Sequence, residues 1–269
     1  MAFPIEFRKV WALTKRDAYD WSSYRSQVLT TILTAAVGTA AWGFNATFRN
    51  VGVPQYQTDY VSFLVTGILV ANIITSISTG LANRMKPWTL ETVLMTGIRA
   101  PTFVVGTASW TYLLAIVLFL PQLALGIVVF GVKLVINPVS LALAVLVSSA
   151  IILSITMIAI GIRLVTKVND PVTWSLTVAA QLLSGMTFPV QHLDSFLPGL
   201  SSFSWLLPQT WVYHIVRVAA LEGASPFDSA VAISFIEASL IALIMVPLAL
   251  LVFRWGLRRA KKDGTLGWY

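Results

Sequence analysis

The sequence predicts an all-α integral membrane protein. It should have six transmembrane helices, an N-terminal amphipathic interfacial helix, and a re-entrant hairpin between helices five and six. Three observations carry that prediction. Hydrophobic residues make up 57% of the 269 and charged residues only 11%, where soluble domains carry roughly a quarter charged. Apolar runs of membrane-crossing length recur along the chain. The cations behind a net charge of +7 gather on alternate connecting loops rather than in one patch.

The first element is residues 1–26. Within it Phe3, Phe7, Val10, Trp11, Thr14, Ala18 and Trp21 repeat at helical period on one face, with Arg8, Lys9, Lys15 and Arg16 opposite. An aromatic apolar face against a Lys/Arg face describes a helix lying in the membrane interface. A lipid anchor is one reading; an elbow helix that also touches a cytoplasmic partner is the other. No apolar core of signal-peptide type occurs here, so no cleaved leader is expected.

Crossing the hydrocarbon takes about 20 apolar residues per helix. Charge-free runs of sufficient length lie at 27–48, 60–83, 100–132, 134–162 and 171–191, and a sixth at 229–253 holds one charge, Glu237. These six spans form a transmembrane domain over 27–254, followed by a basic tail at 255–269. With six spans, both termini share a side. That side receives Arg8, Lys9, Lys15, Arg16 and Arg25, then Arg84, Lys86 and Arg99, then Arg163 and Lys167, and finally Arg254, Arg258, Arg259, Lys261 and Lys262. Only Arg49, Lys133 and Arg217 fall opposite. The positive-inside rule then places both termini in the cytoplasm. The basic balance reports topology, and no nucleic-acid partner is expected. Cysteine is absent, which excludes disulfides and cysteine-based metal or redox chemistry.

Between spans two and three, residues 84–99 form a cytoplasmic segment. Pro87 and Thr89 signal a helix start, and Gly97 with Pro101 closes it before the next span. A two-turn helix at about 89–96 would align Leu90, Val93, Leu94 and Gly97, with Glu91 on another side. So short a helix needs something packed on it, either the membrane surface or a docked protein.

Between spans five and six, residues 184–217 are apolar, yet Gly185, Pro189, Pro198, Gly199 and Pro208 forbid one continuous helix. Broken helices survive at membrane depth only when buried in protein or lining a cavity. Residues 189–217 therefore read as a re-entrant outer hairpin; a surface loop with an amphipathic helix is the other reading.

Three pieces of the sequence resemble the membrane subunit of the ABC exporters of the type-2 permease family. Thr89-Leu90-Glu91-Thr92-Val93-Leu94-Met95-Thr96 resembles that family's cytoplasmic Thr-Leu-Glu segment. Gly185-Met186-Thr187-Phe188-Pro189 resembles its Gly-x-x-Phe-Pro at the end of span five, and Leu206-Leu207-Pro208 with Arg217 its outer Leu-Pro element and trailing arginine. The likeness extends along nearly the whole chain through the six-span layout. Trp88 and Gly97 depart from the usual glycine and proline, and the outer loops are too short for a large external domain.

The resemblance implies a half-channel, paired with a second permease subunit as a homodimer in the plasma membrane and served by two ABC ATPase subunits that hold ATP and Mg. This chain has no Walker-type phosphate loop, and no cofactor is expected on it. Arg84, Lys86, Trp88, Leu90, Glu91, Leu94 and Arg99 would couple to the ATPase. Phe188, Pro189, Pro198, Pro208 and Arg217 would form the outer gate.

Polar residues inside the spans complete the reading. Thr30, Thr31, Thr34, Gly38, Thr39, Thr66, Thr75, Ser76, Ser78, Thr173, Thr177 and Ser184 give spans one, two and five a hydroxyl-bearing, uncharged character. That suits an amphipathic, drug-like or lipid-like cargo; a lipid-linked polysaccharide is the alternative within the family, and an ATP-independent carrier or channel the alternative outside it. Asn45, Asn72, Asn83 and Gln181 read as helix-packing residues, and Trp42, Trp110 and Trp174 as interfacial anchors or path-lining groups. Glu237 lies ~12 Å of helix rise past Ser229, and Arg217, Ser234 and Ser239 are its expected partners, for structure, gating or ion coupling. His192, Asp194 and His214 follow no metal-ligand spacing, and no metal site is expected.

Overall fold

A computed structural model describes residues 2–48, 52–166 and 181–263. Most of the expected fifth span, including Thr173, Trp174 and Thr177, and the end of the tail lie outside the described residues. Five described helices are long and apolar enough to cross a membrane, so the chain is an all-α membrane protein.

Helix α1 (Ala2–Ser23) runs into α2 (Arg25–Thr47) through a break at Tyr24. A two-strand antiparallel hairpin follows, β1 (Gly52–Val53) against β2 (Thr58–Asp59), turning through Pro54–Tyr56. Asp59 caps the next helix, α3 (Tyr60–Arg84), by accepting from the Ser62 amide at 3.1 Å. This capping satisfies one of the four orphan donors of a helix start.

Helix α3 is the centre of the bundle. Of its most apolar stretch 67% is buried, against 11% for α2. The short α4 (Pro87–Met95) comes next and ends at Gly97, whose φ of +75° suits a residue without Cβ. It opens two residues before the expected start, because Pro87 fits the first helical turn, where its missing N–H costs nothing. Helix α5 (Ala100–Phe130) contains Pro121, and α6 (Pro138–Thr166) follows a short extended link.

Beyond residue 181 the chain breaks as its prolines and glycines predict. A 3-10 turn at Val190–Ser195 leads to α7 (Leu200–Trp205) and α8 (Pro208–Arg217), which closes in a π turn at Val218–Glu222. The last described helix, α9 (Ser229–Lys262), carries Pro247 in its interior. It continues past the expected end of the sixth run because Arg254 to Lys262 keep a helical backbone at a helix C-terminus, where cations are favoured.

The α6–α9 pair is the most extensive helix contact. Gly161 and Gly256 lie at its crossing, and a Cβ on Gly256 would fall on the Gly161 carbonyl. Without side chains at this point the two backbones touch, the small-residue mode of membrane helix packing.

Three apolar clusters fill the bundle among the described residues, the smallest of them Val65, Leu69 and Val132; two are larger. One joins α3, α6, α8 and α9 around Phe63, Ile77, Ile151, Val212, Tyr213, Ile215 and Phe235. The other lies at the α4 end, where Leu81, Leu90, Val93, Phe103, Ile160 and Phe253 meet Leu13 of α1. Thus α1 does not lie apart from the bundle. Val10, Leu13, Thr14 and Trp21 turn toward α5, while Phe7 and Trp11 stay more than 60% exposed.

Candidate functional site

A groove of about 770 Å³ runs along α2, between it and α3, α5 and residues 181–186. Helix α2 contributes Ser26, Thr30, Thr34, Gly38 and Trp42, spaced four apart and therefore stacked along one face. Thr31 and Ala35 flank that row. Helix α3 answers with Ile68, Ala71, Asn72, Thr75, Ser76 and Thr79. The walls thus carry hydroxyls and amides, and no charged side chain lines the groove among the described residues.

The floor is a relay of uncharged polar groups. Gln122 of α5 is buried, and its Oε1 accepts from the Thr39 hydroxyl at 2.9 Å and from the Asn72 amide at 2.5 Å. Its Nε2 donates to the Leu118 carbonyl at 2.8 Å. Three helices of membrane-crossing length are therefore joined by side-chain hydrogen bonds, each worth about 0.6–2 kcal/mol between membrane helices. The relay sits beside Pro121, which lies inside the continuous helix and deprives the preceding turn of a backbone donor.

Of the hydroxyl residues singled out in the sequence, Thr30, Thr31, Thr34, Thr75 and Ser76 meet in this groove with Gly38. Thr66 does not. It is buried on α3 and donates to the Ser62 carbonyl at 2.7 Å, because its face of the helix turns into the bundle. Ser78 bonds Thr156 across to α6 at 2.9 Å. Trp42 and Gln181 line the groove, whereas Trp110 packs edge-on against Trp21.

At one end of the bundle Arg217 forms the second constellation. The guanidinium is buried and donates to the carbonyls of Gly185 at 2.5 Å, Met186 at 2.6 Å and Phe63 at 3.3 Å. Its Cζ lies 3.7 Å from the centre of the Phe63 ring, with Tyr56 and Tyr213 on its flanks. No carboxylate pairs with it among the described residues. Carbonyl dipoles and ring faces take the place of a counter-charge. Gly67 makes this possible, since a Cβ there would overlap both the guanidinium and the Met186 carbonyl.

Burial pushes the neighbouring Tyr56 phenol upward, so it stays a neutral partner for His214, 3.0 Å away. Arg217 thereby pins the bend at 185–189 to α3. In the same region Phe188, Pro189 and Pro198 line the broken stretch, and Pro208 opens α8.

Glu237 differs from expectation. Arg217 is spent on carbonyls and Ser234 bonds His214 at 3.0 Å. Glu237 instead points out of the bundle, exposed, with no partner among the described residues. The reason is helical phase: Ala238 and Phe235 take the inward positions, and Glu237 falls on the outward face between Ile236 and Leu240. Asp194 is held by Ser201, whose amide and hydroxyl donate at 3.0 and 2.5 Å.

The α4 end holds a third arrangement, which the sequence reading missed in part. Asp17 of α1 is 3% exposed and accepts from Arg84 at 2.5 Å and from Arg16 at 2.8 Å. Arg84 ends α3, one turn before α4, so the pair fastens α1 to the approach of α4. Nearby, Glu6 accepts from Thr102 and from Lys9, the latter at 3.2 Å. These bonds hold its carboxyl below the ordinary range. Leu90 is fully buried against the bundle, while Glu91 is half-buried and Met95 exposed. Arg99 leads into α5 and is exposed, and the side chains of Trp88 and Leu94 lie outside the described residues.

No protein-family model and no curated protein matches the chain.

Proposed function

We propose that the chain is the membrane-spanning permease subunit of an ATP-driven exporter, moving an amphipathic, drug-like or lipid-like compound out of the cytoplasm or the inner leaflet. The observation that carries this reading is the groove along α2. That helix is the least hydrophobic of the five spans and the least buried, and its exposed face is a row of hydroxyls. Hydrocarbon is a poor solvent for such a face. Water, a cargo or protein must cover it, and a second copy facing the first would close two half-grooves into one path.

The remaining parts fit the same reading. Residues 171–191 would supply the fifth of six spans, with both termini cytoplasmic in the plasma membrane. Residues 189–217 would re-enter from the outside as a gate held by Arg217. The α4 segment would receive a separate ATPase subunit, two copies per dimer, which carries the ATP and Mg. With Arg84 and Leu90 turned inward, the docking surface would consist of Glu91, Thr92, Met95 and Thr96. ATP binding can then shift the path only through a difference in affinity between inward-open and outward-open states.

The test is purification from the native membrane followed by reconstitution. A co-purifying subunit that hydrolyses ATP, together with cargo uptake into inverted vesicles that stops without ATP, is the expected result. Cargo movement that persists at full rate with no ATPase present would replace this reading with a secondary carrier.

A further inference from the structure

We infer that the groove selects amphiphiles whose head group donates hydrogen bonds and carries no negative charge. The inference rests on the groove being a cargo site, as proposed above, and adds the chemistry of the head. It follows from where the donor protons of the lining are already committed.

The Leu118 carbonyl sets the polarity of the floor. Lying 2.8 Å from the Gln122 amide, it requires the Nε2 end of that amide as donor. Oε1 must then face Thr39 and Asn72; Asn72 has to donate to it, while the single Thr39 proton lies between Oε1 and the Ala35 carbonyl, 3.0 Å away. Asn72 therefore spends its Nδ2 on Gln122 and is left with Oδ1, an acceptor without a partner among the described residues, at the groove wall. A reversed Gln122 would set oxygen against oxygen at Leu118 and nitrogen against nitrogen at Asn72.

The hydroxyls near the α4 end show the same bias. Thr30 donates to the Ser26 carbonyl at 2.8 Å, and Thr79 donates to the Thr75 carbonyl at 2.7 Å. A threonine bonded back along its own helix has used its single proton, so what it offers outward is lone pairs. The hydroxyls of Ser26, Thr34, Thr75 and Ser76 rotate and serve either role. No lysine or arginine side chain lines it among the described residues. An anionic head would meet fixed acceptors and no cation; an alcohol, a sugar or a protonated amine would find acceptors already oriented.

Binding of four single-chain probes to the purified full-length chain in lipid nanodiscs, with empty nanodiscs as blank, tests this. The probes share a dodecyl tail and end in glucoside, primary ammonium, trimethylammonium or sulfate. The glucoside, the primary ammonium or both should bind about tenfold tighter than the other two, the factor expected for one or two good hydrogen bonds. Whichever of the two binds tells whether the donor is a polyol or an amine. Thr79→Val should narrow that gap without disturbing the fold, since its hydroxyl bonds only its own helix; Asn72→Leu should narrow it further. Equal binding of the sulfate or of the trimethylammonium would overturn the inference, because the first lacks a complementary charge and the second lacks donors. An unchanged order of affinities in both variants would also overturn it. These outcomes are independent of ATP. The donor preference without ATP-driven uptake would remove the export reading and leave the head-group chemistry standing, and uptake without the preference would do the reverse.

Discussion

Two buried charges define the chemistry at the residue scale, and they are held differently. Arg217 is surrounded by carbonyls and rings, and its planar fork reaches two successive carbonyls at once. Lysine has the charge but not the fork. Arg217→Lys should therefore leave at least one buried carbonyl without a donor, at about 1–3 kcal/mol, and Arg217→Met both. A lowered melting temperature in detergent for both variants, larger for Met, is the expected result; an unchanged melt for Lys would mean that charge alone suffices. Asp17 is the opposite case, a carboxylate between two arginines. Asp17→Asn should cost about 3 kcal/mol, the lower end of the range for breaking a buried pair, because Arg84 keeps a quarter of its side chain exposed. The exchange Asp17→Arg with Arg84→Asp should recover part of the loss in the same melt. Neither role is plain from the sequence. Arg217 stands out there as a cation on the sparsely charged side, but its carbonyl partners depend on a bend, and Asp17 looks like one charge among several on an amphipathic helix.

At the element scale the long helices were legible and their neighbours were not. Hydropathy marks α2, α3, α5, α6 and α9 because each needs only its own composition to be recognised. The packing of α1 onto α5 was hidden, since one apolar face serves equally for lipid and for protein. Its contact depends on Leu13, Thr14, Trp21 and the Glu6–Thr102 bond. That bond gives the contact a pH dependence. A carboxyl held below its ordinary 4.5 contributes fully above that value, and the contribution is lost as pH falls through the lowered value. A spin-label pair at the starts of α1 and α5 should thus show a broader distance distribution under acid than at neutral pH, with Glu6→Gln broadened already at neutral pH, while a pair near Leu13 stays unchanged. The α6–α9 crossing makes a sharper prediction. Gly256→Ala places a methyl on the Gly161 carbonyl, so the helices must part, at about 1–3 kcal/mol, seen as a fall in melting temperature larger than for alanine at exposed Leu251.

For the whole molecule the question is what covers α2. Its exposed residues include Leu33 at 54% and Val37 at 66% beside the hydroxyl row. The chain has no cysteine, so a single introduced one reports only on its own surroundings. If a second copy closes the groove, Val37→Cys should give a disulfide-linked dimer in native membranes on mild oxidation. Leu146→Cys, equally exposed on α6, should stay monomeric. Dimers from both positions, or from neither, would point to lipid or another protein over α2. The candidate site was half legible at this scale: the sequence marks which helices carry hydroxyls, whereas Gln122, the amide that joins three of them, sits alone in a long apolar run. Its meaning emerges only when Thr39 and Asn72 arrive from two other helices.

The touching glycines of α6 and α9 also bear on how the protein is made. Their contact joins two helices separated by the whole stretch from residue 167 to 228, so α6 waits in the bilayer, one face uncovered, until α9 has been synthesised and inserted. Through that interval its face around Gly161 is open to any other helix passing through the insertion machinery. Chains halted before Ser229 are expected to be recognised as unfinished and degraded, with α6 the segment that membrane quality control reads.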